Sequence, residues 1–259
     1  MSRLAITGLR VSFGDRQVVD VDELHVGAGE IVGLAGESGS GKSMTTLAVL
    51  GLAHTVGATV RGSIRLDGTD LTGLPQRELR KLRGRRVAAI FQSPASAFSP
   101  VYRVGSVVHG ALRLHGMSKS EANRAAEAAM RQVLLSPALL DRYPSQLSGG
   151  QLQRVAIAIA LALRAEVLLA DEPTSALDVT VQAEVLELLR ELRDSEGMSV
   201  LFISHDLAVV AELCDRVAIM RQGRIVEQGP AARVLSAPAD PYTADLLAAV
   251  PVIRAEAGP

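Results

Sequence analysis

This sequence is poor in cysteine and in aromatic residues, and its positive and negative charges nearly balance. Its 259 residues include one cysteine, Cys214, no tryptophan and only 3% aromatic residues. A single cysteine excludes an internal disulfide, and a chain of this length can bury enough apolar surface to fold without one. Cys214 precedes a strand pattern and is expected to be a small buried thiol. The net charge of −1 lacks the basic excess of a nucleic-acid-binding protein.

Long hydrophobic runs are also missing. The longest one covers residues 155–163 and ends at Arg164, which is too short to cross a bilayer. The first nine residues contain Arg3 and lack the apolar stretch of a signal peptide. Work at a membrane would therefore depend on a partner that holds the chain there. Four histidines are not spaced along the chain as metal ligands are, and we expect them at the surface or in loops. They are His25, His54, His109 and His115.

Strand patterns alternate with helix patterns along the chain. Apolar or alternating segments predict strands at residues 4–13, 18–26, 30–35, 63–66, 87–91, 167–170 and 199–203. Segments with helical periodicity lie at residues 41–52, 104–114, 119–135, 150–163 and 179–193, with short helices after Asp206, Gly229 and Pro241. This alternation predicts an α/β fold with a largely parallel sheet.

The middle of the chain has a different character. Prolines punctuate about 93–150, and Ser118 followed by Glu121 predicts a helix N-terminus with a capping box. We interpret this stretch as a helical subdomain inserted into a single domain over residues 1–259, with a C-terminal helical extension over about 231–259. The arginine-rich run at residues 77–86 is expected to form a solvated helix face or part of a contact with a membrane subunit.

A glycine-rich octapeptide follows the 30–35 strand pattern. Residues 36–43 read Gly-Glu-Ser-Gly-Ser-Gly-Lys-Ser and fit the P-loop pattern at every fixed position. Small residues let backbone N–H groups close around phosphates, and the following helix adds the positive end of its dipole. Lys42 is expected to reach the β- and γ-phosphates, and the Ser43 hydroxyl to bind Mg²⁺. The predicted nucleotide-binding residues are Gly36, Glu37, Ser38, Gly39, Ser40, Gly41, Lys42, Ser43 and Met44.

Two carboxylates end the apolar strand pattern at residues 167–170. Beside a P-loop, Asp171 is expected to hold the Mg²⁺ ion, as such an aspartate does in P-loop NTPases. Glu172 is then the candidate general base for the attacking water. A solvated Asp-Glu pair at a strand end is the alternative for this dipeptide alone, and the complete P-loop in the same chain disfavours it.

A second candidate anion site lies at residues 147–151, Leu-Ser-Gly-Gly-Gln. The residues precede a helix pattern, and backbone N–H groups at a helix start can bind an anion. Because the chain already has one phosphate cradle, the second one suggests that two chains share nucleotides. A Gly-Gly loop with a serine helix cap is the alternative.

Taken in their order along the chain, these stretches resemble those of the nucleotide-binding domain of ATP-binding-cassette proteins, and the resemblance extends over nearly the whole chain. Residues 36–43 match the P-loop and residues 147–151 match the family's signature. Further single residues match the Q-loop, Walker B, D-loop and H-loop motifs and the aromatic position that stacks on adenine. These are Gln92, the pair Asp171 and Glu172, Asp178, His205 and Phe13.

The resemblance implies a P-loop NTPase (RecA-like) core with an antiparallel β subdomain and an inserted α-helical subdomain. It implies an ATPase whose catalytic residues are Glu172, His205 and Gln92. Two such domains would pair head to tail, with ATP held by the P-loop of one and the signature of the other, and Asp178 would communicate across the pair. The signature residues assigned to ATP are Ser148, Gly149, Gly150 and Gln151. The residues assigned to Mg²⁺ are Ser43, Gln92 and Asp171.

A narrower resemblance links the chain to the oligopeptide, dipeptide and nickel importer branch. It rests on residues 36–43, 91–102 and 240–251, the last reading Asp-Pro-Tyr-Thr-Ala-Asp-Leu-Leu-Ala-Ala-Val-Pro. Ser93 and Asp240 depart from the branch pattern, where Asp or Asn and His respectively are usual.

This branch implies a subunit that energises import of peptides or related solutes from the cytoplasmic face of the cell membrane, as a peripheral protein. Implied partners are transmembrane permease subunits, a second identical or paralogous ATPase subunit and, indirectly, an extracytoplasmic solute-binding protein; no nucleic acid is implied. The alternatives are import of nickel or a metal chelator, and a soluble non-transport cassette ATPase.

Overall fold

The computed structural model describes residues 2–93, 97–175 and 177–249. Parts of three predicted stretches lie outside these ranges: residues 94–96 of the Q-loop stretch, Ala176 of the D-loop stretch, and the C-terminal extension from residue 250 onward. The described strands are β1 (Ser2–Phe13), β2 (Arg16–Gly27), β3 (Ile31–Ala35), β4 (Thr59–Leu66), β5 (Thr69–Asp70), β6 (Val87–Ile90), β7 (Val167–Asp171), β8 (Ser199–Ser204), β9 (Arg216–Arg221) and β10 (Arg224–Pro230).

The described α-helices are α1 (Lys42–Val49), α2 (Gln76–Leu82), α3 (Val104–Leu114), α4 (Lys119–Gln132), α5 (Gly149–Ala162), α6 (Val179–Glu196), α7 (Leu207–Leu213), α8 (Ala231–Ser236) and α9 (Pro241–Ala248). Short 3₁₀ turns at Ala53–Val56, Pro137–Asp141 and Pro144–Gln146 connect some of them.

An antiparallel sheet opens the chain, with the strand order β2-β1-β4-β5. Residues Leu4, Ile6 and Leu9 of β1 are buried, as expected for a strand with one face on the core. The predicted turn after β1 is present: Gly14 adopts φ +54°, and Phe13 pairs with Arg16. The hairpin is therefore tighter than the sequence pattern suggested, with β2 beginning at Arg16.

The larger sheet has the strand order β10-β9-β3-β8-β7-β6. Neighbouring strands from β9 to β6 run parallel, and only β10 is antiparallel to its neighbour. Every residue of β3, β7 and β8 is buried, because both faces of this sheet are covered. The prediction of an α/β fold with a largely parallel sheet is confirmed. The carboxyl ends of β3, β7 and β8 lie at one edge, where the sequence motifs begin.

The central strands separate two hydrophobic cores. Leu168 and Ala170 of β7 belong to the core shared with the helices, whereas Val167 and Leu169 belong to the core shared with the antiparallel sheet. This alternation follows from the two-residue period of a strand. The P-loop strand β3 is divided in the same way, so both layers hold it in place.

Helices α3 and α4 lie between β6 and α5 in the chain. The predicted capping box of α4 is confirmed: Ser118 Oγ accepts from the Glu121 N–H, and Glu121 Oε2 accepts from the Ser118 N–H (3.3 and 2.8 Å). The predicted end of this helix at residue 135 is wrong. The helix ends at Gln132, and Leu134 adopts the left-handed conformation with φ +58°.

The arginine-rich run is only partly a solvated helix face, and for Arg83 that prediction is wrong. Arg83 Nε donates to the Leu50 carbonyl (2.7 Å), and Nη2 donates to the Gly51 carbonyl (3.2 Å) and to Gln76 Oε1 (2.7 Å). Burial of this guanidinium lowers its pKa, and the nearby charge of Arg80 adds to the shift. Arg83 thus satisfies the free carbonyl groups that follow the C-terminus of α1.

Cys214 is a buried thiol, as predicted, and burial raises its pKa. Among the described residues, no helix combines the length and the apolar character that a membrane crossing requires.

Candidate functional site

The P-loop connects the end of β3 to the start of α1, and two of its glycines cannot be replaced without displacing backbone. Gly36 adopts φ +150°, and a Cβ there would lie 2.1 Å from the Met220 carbonyl oxygen. Gly41 adopts φ +111°, and its Cβ would lie 2.9 Å from the Val18 carbonyl oxygen. The loop is thus pressed between β9 and β2, which fixes its path.

Lys42 provides the positive charge of the loop. The residue is only 5% exposed, and its Nζ donates to the carbonyls of Gly36 (2.7 Å) and Glu37 (2.8 Å). Burial lowers the pKa of Lys42, and the charges of Glu172 and Asp171 oppose that shift. A buried ammonium at the start of a helix is well placed to bind phosphate groups.

Ser43 and Asp171 meet at the carboxyl edge of the sheet. Ser43 Oγ donates to Asp171 Oδ1 (3.1 Å), and this carboxylate is 5% exposed at the end of β7. Burial raises the pKa of Asp171, and the hydrogen bond from Ser43 opposes the shift. A hydroxyl and a carboxylate oxygen are the hard ligands that Mg²⁺ prefers, and a cation there would favour the ionised form of Asp171. The residues present therefore fit the ion that the sequence predicts.

Glu172 is held by the two other predicted catalytic residues. Gln92 Nε2 donates to Glu172 Oε2 (2.8 Å), and His205 Nδ1 lies 3.1 Å from Glu172 Oε1. The backbone of Glu172 adopts φ +49°, a conformation that costs a non-glycine residue free energy, and its N–H donates to the Ile203 carbonyl (2.9 Å). The strained turn after β7 directs this carboxylate toward the side chains that follow β6 and β8.

Apart from Asp171, which lies behind Ser43, the predicted catalytic and metal-binding side chains line one cleft of about 670 Å³. Every residue from 36 to 44 except Ser40 lines it, together with Gln92, Glu172 and His205. Sequence reasoning did not assign Val18, Leu207 or Leu246 to the site, although all three also line the cleft. Val18 and Leu207 carry no motif, and Leu246 belongs to the 240–251 stretch that supports the narrower resemblance. Phe13, the predicted adenine contact, is 37% exposed at the end of β1 and is not among the lining residues.

The signature residues and Asp178 do not line this cleft, and they begin two helices that pack against each other. Ser148 caps α5 through the Gln151 N–H (3.2 Å), and Gln151 Oε1 accepts from the Ser148 N–H (3.0 Å). A Cβ on Gly150 would lie 2.2 Å from Val181 Cγ1. Asp178 caps α6 through the Val181 N–H (3.0 Å). The alternative of a capped helix start therefore describes part of what these residues do in the single chain.

The order and geometry of these motifs agree with a family model for ABC transporters, which matches residues 19–175. The chain belongs to the ABC transporter family. The predicted family and fold class are confirmed, and this cassette is an ATP-hydrolysing domain of that family. The similarity to individual relatives extends beyond this span, to 97–98% of the chain.

Two relatives illustrate this similarity. The Escherichia coli (strain K12) dipeptide transport ATP-binding protein DppD is 44% identical over 258 residues, which cover 97% of this chain and 79% of DppD. The Salmonella typhimurium glutathione import ATP-binding protein GsiA is 44% identical over 268 aligned residues, which cover 98% of this chain and 43% of GsiA.

Solved structures agree with the fold. CbiO1 from Clostridium perfringens, part of the ABC transporter complex cbiONQ, superposes with a TM-score of 0.79 at 25% identity, covering 91% of each chain. The cassette MJ0796, in a dimeric post-hydrolysis state bound to ADP and Pi, superposes with a TM-score of 0.75 at 28% identity. The match covers 88% of this chain and 98% of MJ0796.

Proposed function

We propose that this cassette energises an importer of peptides, with the cleft beside β3 as its ATP site. The observation that carries the proposal is the position of Glu172: its carboxylate lies between Gln92 and His205 in the same cleft as Lys42. A carboxylate held beside a phosphate-binding loop is the arrangement that ATP hydrolysis needs, because water must lose a proton as it attacks phosphorus.

Binding of the nucleotide is assigned to the P-loop. The backbone N–H groups of residues 36–43 and the start of α1 bind the phosphates, and the Lys42 ammonium exchanges its carbonyl partners for phosphate oxygens. Ser43 and Asp171, with Gln92, would hold Mg²⁺, which neutralises charge on the β- and γ-phosphates when bound. Phe13 is assigned to adenine, by stacking.

Hydrolysis is assigned to Glu172 as the general base. Its carboxylate takes a proton from the attacking water, while the Gln92 amide and the His205 ring keep the carboxylate oriented. The left-handed backbone at Glu172 serves the same purpose, since a strained turn re-aims a side chain at a fixed angle.

A second cassette is expected to complete the site. Ser148, Gly149 and Gly150 stand at the start of α5, outside the cleft of their own chain, where their N–H groups can meet phosphates held by another chain. The dimeric MJ0796 structure with ADP and Pi supports such a pair. Asp178 would respond to the partner through α6, whose Val181 packs on the signature residue Gly150.

An importer needs further subunits besides the ATPase. Transmembrane permease subunits would hold the cassette peripherally at the cytoplasmic face of the membrane, and an extracytoplasmic solute-binding protein would deliver the cargo. Exposed apolar side chains after β6, on Phe91, Val101 and Tyr102, are suited to the permease contact. Recovery of a multi-span membrane protein with the tagged chain from solubilised native membranes tests this setting. Recovery of the cassette without one would favour the soluble, non-transport alternative.

Peptide cargo is the substrate class that the relatives favour. DppD is named for dipeptide and GsiA for glutathione, a tripeptide, and neither is named for nickel. Uptake of radiolabelled dipeptide, glutathione and nickel should be compared in cells that carry the native chain and in cells that carry Glu172→Gln. The proposal expects loss of peptide uptake and unchanged nickel uptake. Loss of nickel uptake alone would reassign the cargo to nickel.

A further inference from the structure

The C-terminal helix α9 rests against the outside of the P-loop. The Glu37 N–H donates to the Tyr242 hydroxyl (3.3 Å), and the Tyr242 ring is stacked on the Arg221 guanidinium, 4.6 Å from the ring centroid. Tyr242 is 6% exposed, so this contact is made in a largely dry environment. We propose that Tyr242 is a positioning residue of the P-loop, and that α9 braces the loop for nucleotide binding.

The turn between β9 and β10 supports the loop from a second side. The Gly223 N–H donates to the Ser40 carbonyl (2.8 Å), and the Met220 carbonyl occupies the space where a side chain on residue 36 would lie. Arg221 is the last residue of β9 and directly precedes this turn. The stacking of Tyr242 on Arg221 therefore joins the two supports, and the amide of Glu37 is held where they meet.

A separate set of hydrogen bonds fixes α9 itself. The buried Glu227 carboxylate on β10 accepts from the Ala239 N–H (2.9 Å) and the Asp240 N–H (3.1 Å). Asp240 in turn caps α9, with Oδ1 accepting from the Tyr242 N–H (2.8 Å). Because β10 pairs with β9, these contacts place Tyr242 at a fixed height above Arg221.

Helix α9 also reaches the nucleotide cleft directly. Leu246, one turn after Tyr242, lines the cleft with Glu37 and Ser38. Side chains four residues apart share a helix face, so one face of α9 holds the loop and borders the cleft. The inference rests on the proposed role of residues 36–43 in binding nucleotide. It gives a role at that site to a residue of the 240–251 stretch, none of which the sequence assigned to nucleotide binding.

The test removes only the hydroxyl group. In Tyr242→Phe the ring stays on Arg221 and the Glu37 amide loses its acceptor. We expect the Kd for ATP and the KM for ATP to rise about 2- to 12-fold, the equivalent of one hydrogen bond, with kcat at saturating ATP changed less than about twofold. Fluorescence titration with an ATP analogue and steady-state phosphate release measure these constants on the full chain.

Tyr143→Phe is the matched control. It removes the same hydroxyl from a tyrosine that also stacks on an arginine, with Arg103 5.5 Å from the ring centroid, outside the cleft. Its Kd and KM for ATP should equal those of the wild type. An unchanged Kd and KM in Tyr242→Phe would overturn the proposal. So would a fall in kcat and in thermal stability with no rise in KM, because that would mark a merely structural role.

A second pair of variants tests the placement of α9. Asp240→Ala loses the helix cap and should weaken ATP binding, whereas Asp240→Asn keeps an acceptor oxygen and should restore it. If Asp240→Ala and Asp240→Asn bind ATP equally tightly, α9 does not position the P-loop as proposed.

Lys42→Ala distinguishes failure of the proposed nucleotide site from failure of the proposed role of Tyr242. If it also binds ATP as the wild type does, the proposed nucleotide site itself fails. If it loses binding while Tyr242→Phe does not, the brace alone fails.

Discussion

Replacement of Glu172 by glutamine isolates the chemistry of the proposed general base. The amide has the shape of the carboxylate, so its oxygen can accept from Gln92 Nε2, and its NH₂ group can donate to His205 Nδ1 in the tautomer that carries the ring proton on Nε2. Both contacts of the native residue, at 2.8 and 3.1 Å, can therefore persist. What the variant lacks is a group that can take a proton from water.

The size of the effect follows from that single loss. A positioned general base contributes about 10²- to 10⁴-fold to the rate, so the barrier should rise by about 2.7–5.5 kcal/mol. The Kd for Mg-ATP should change by less than about threefold, because Lys42 and Ser43 are untouched. Thermal stability should be unchanged or slightly higher, because a half-buried carboxylate is replaced by a neutral isostere.

The assay combines single-turnover phosphate release with calorimetric titration of Mg-ATP. Glu187→Gln, at an exposed position of α6 where the glutamate pairs with Arg190, is the matched control and should keep the wild-type rate. Retention of more than about a tenth of the wild-type turnover by Glu172→Gln would refute the general-base role, since it would leave no room for the expected contribution. Loss of ATP binding together with turnover would instead show that Glu172 shapes the site.

Three further predictions concern other parts of the chain. Phe13→Ala should weaken ATP and GTP binding alike by about 1–3 kcal/mol, because stacking needs only a π-face; unchanged affinity in a titration would remove Phe13 from the site. Arg83→Ala should lower the free energy of unfolding by about 1.5–3 kcal/mol in urea titrations, because it strands the carbonyls after α1, whereas Arg80→Ala, on the neighbouring exposed surface, should have little effect. Burial alone would raise the pKa of Glu227, but hydrogen bonds from two backbone amides lower it. The ionised Glu227 therefore stabilises the fold fully above the ordinary glutamate pKa of about 4.3, and this stabilisation is lost as the pH falls below that value. Between pH 6 and pH 3 the Tm of Glu227→Gln should fall less steeply than that of the wild type, and an equal fall in both proteins would contradict this.

The sequence predicts correctly those parts of the structure that depend on residues close together in the chain. The P-loop, the capping box at Ser118 and the buried strand before Asp171 all depend on residues within a few positions of one another. Such patterns can be recognised without knowledge of the tertiary contacts, because they reflect local backbone hydrogen bonding and the spacing of apolar side chains.

Contacts between distant segments could not be inferred in the same way. Arg83 appeared to belong to a solvated basic face, because nothing near it in the sequence shows that the carbonyls of residues 50 and 51 face it. The contact between Tyr242 and Glu37 joins residues 205 positions apart. Val18 and Leu207 line the cleft as ordinary apolar residues of a strand and a helix. For these residues the fold, and not the local pattern, decides the role.

If two chains share each ATP molecule, binding of ATP must bring the chains together, and sedimentation measures that association. Glu172→Gln protein should be measured without nucleotide, with Mg-ADP and with Mg-ATP, alone and mixed with any second cassette that co-purifies with it. We predict that only Mg-ATP shifts the protein from its monomer mass of 27.3 kDa to a pair, and that Ser148→Arg abolishes the shift. A chain that binds Mg-ATP and stays monomeric under every one of these conditions would contradict the shared site.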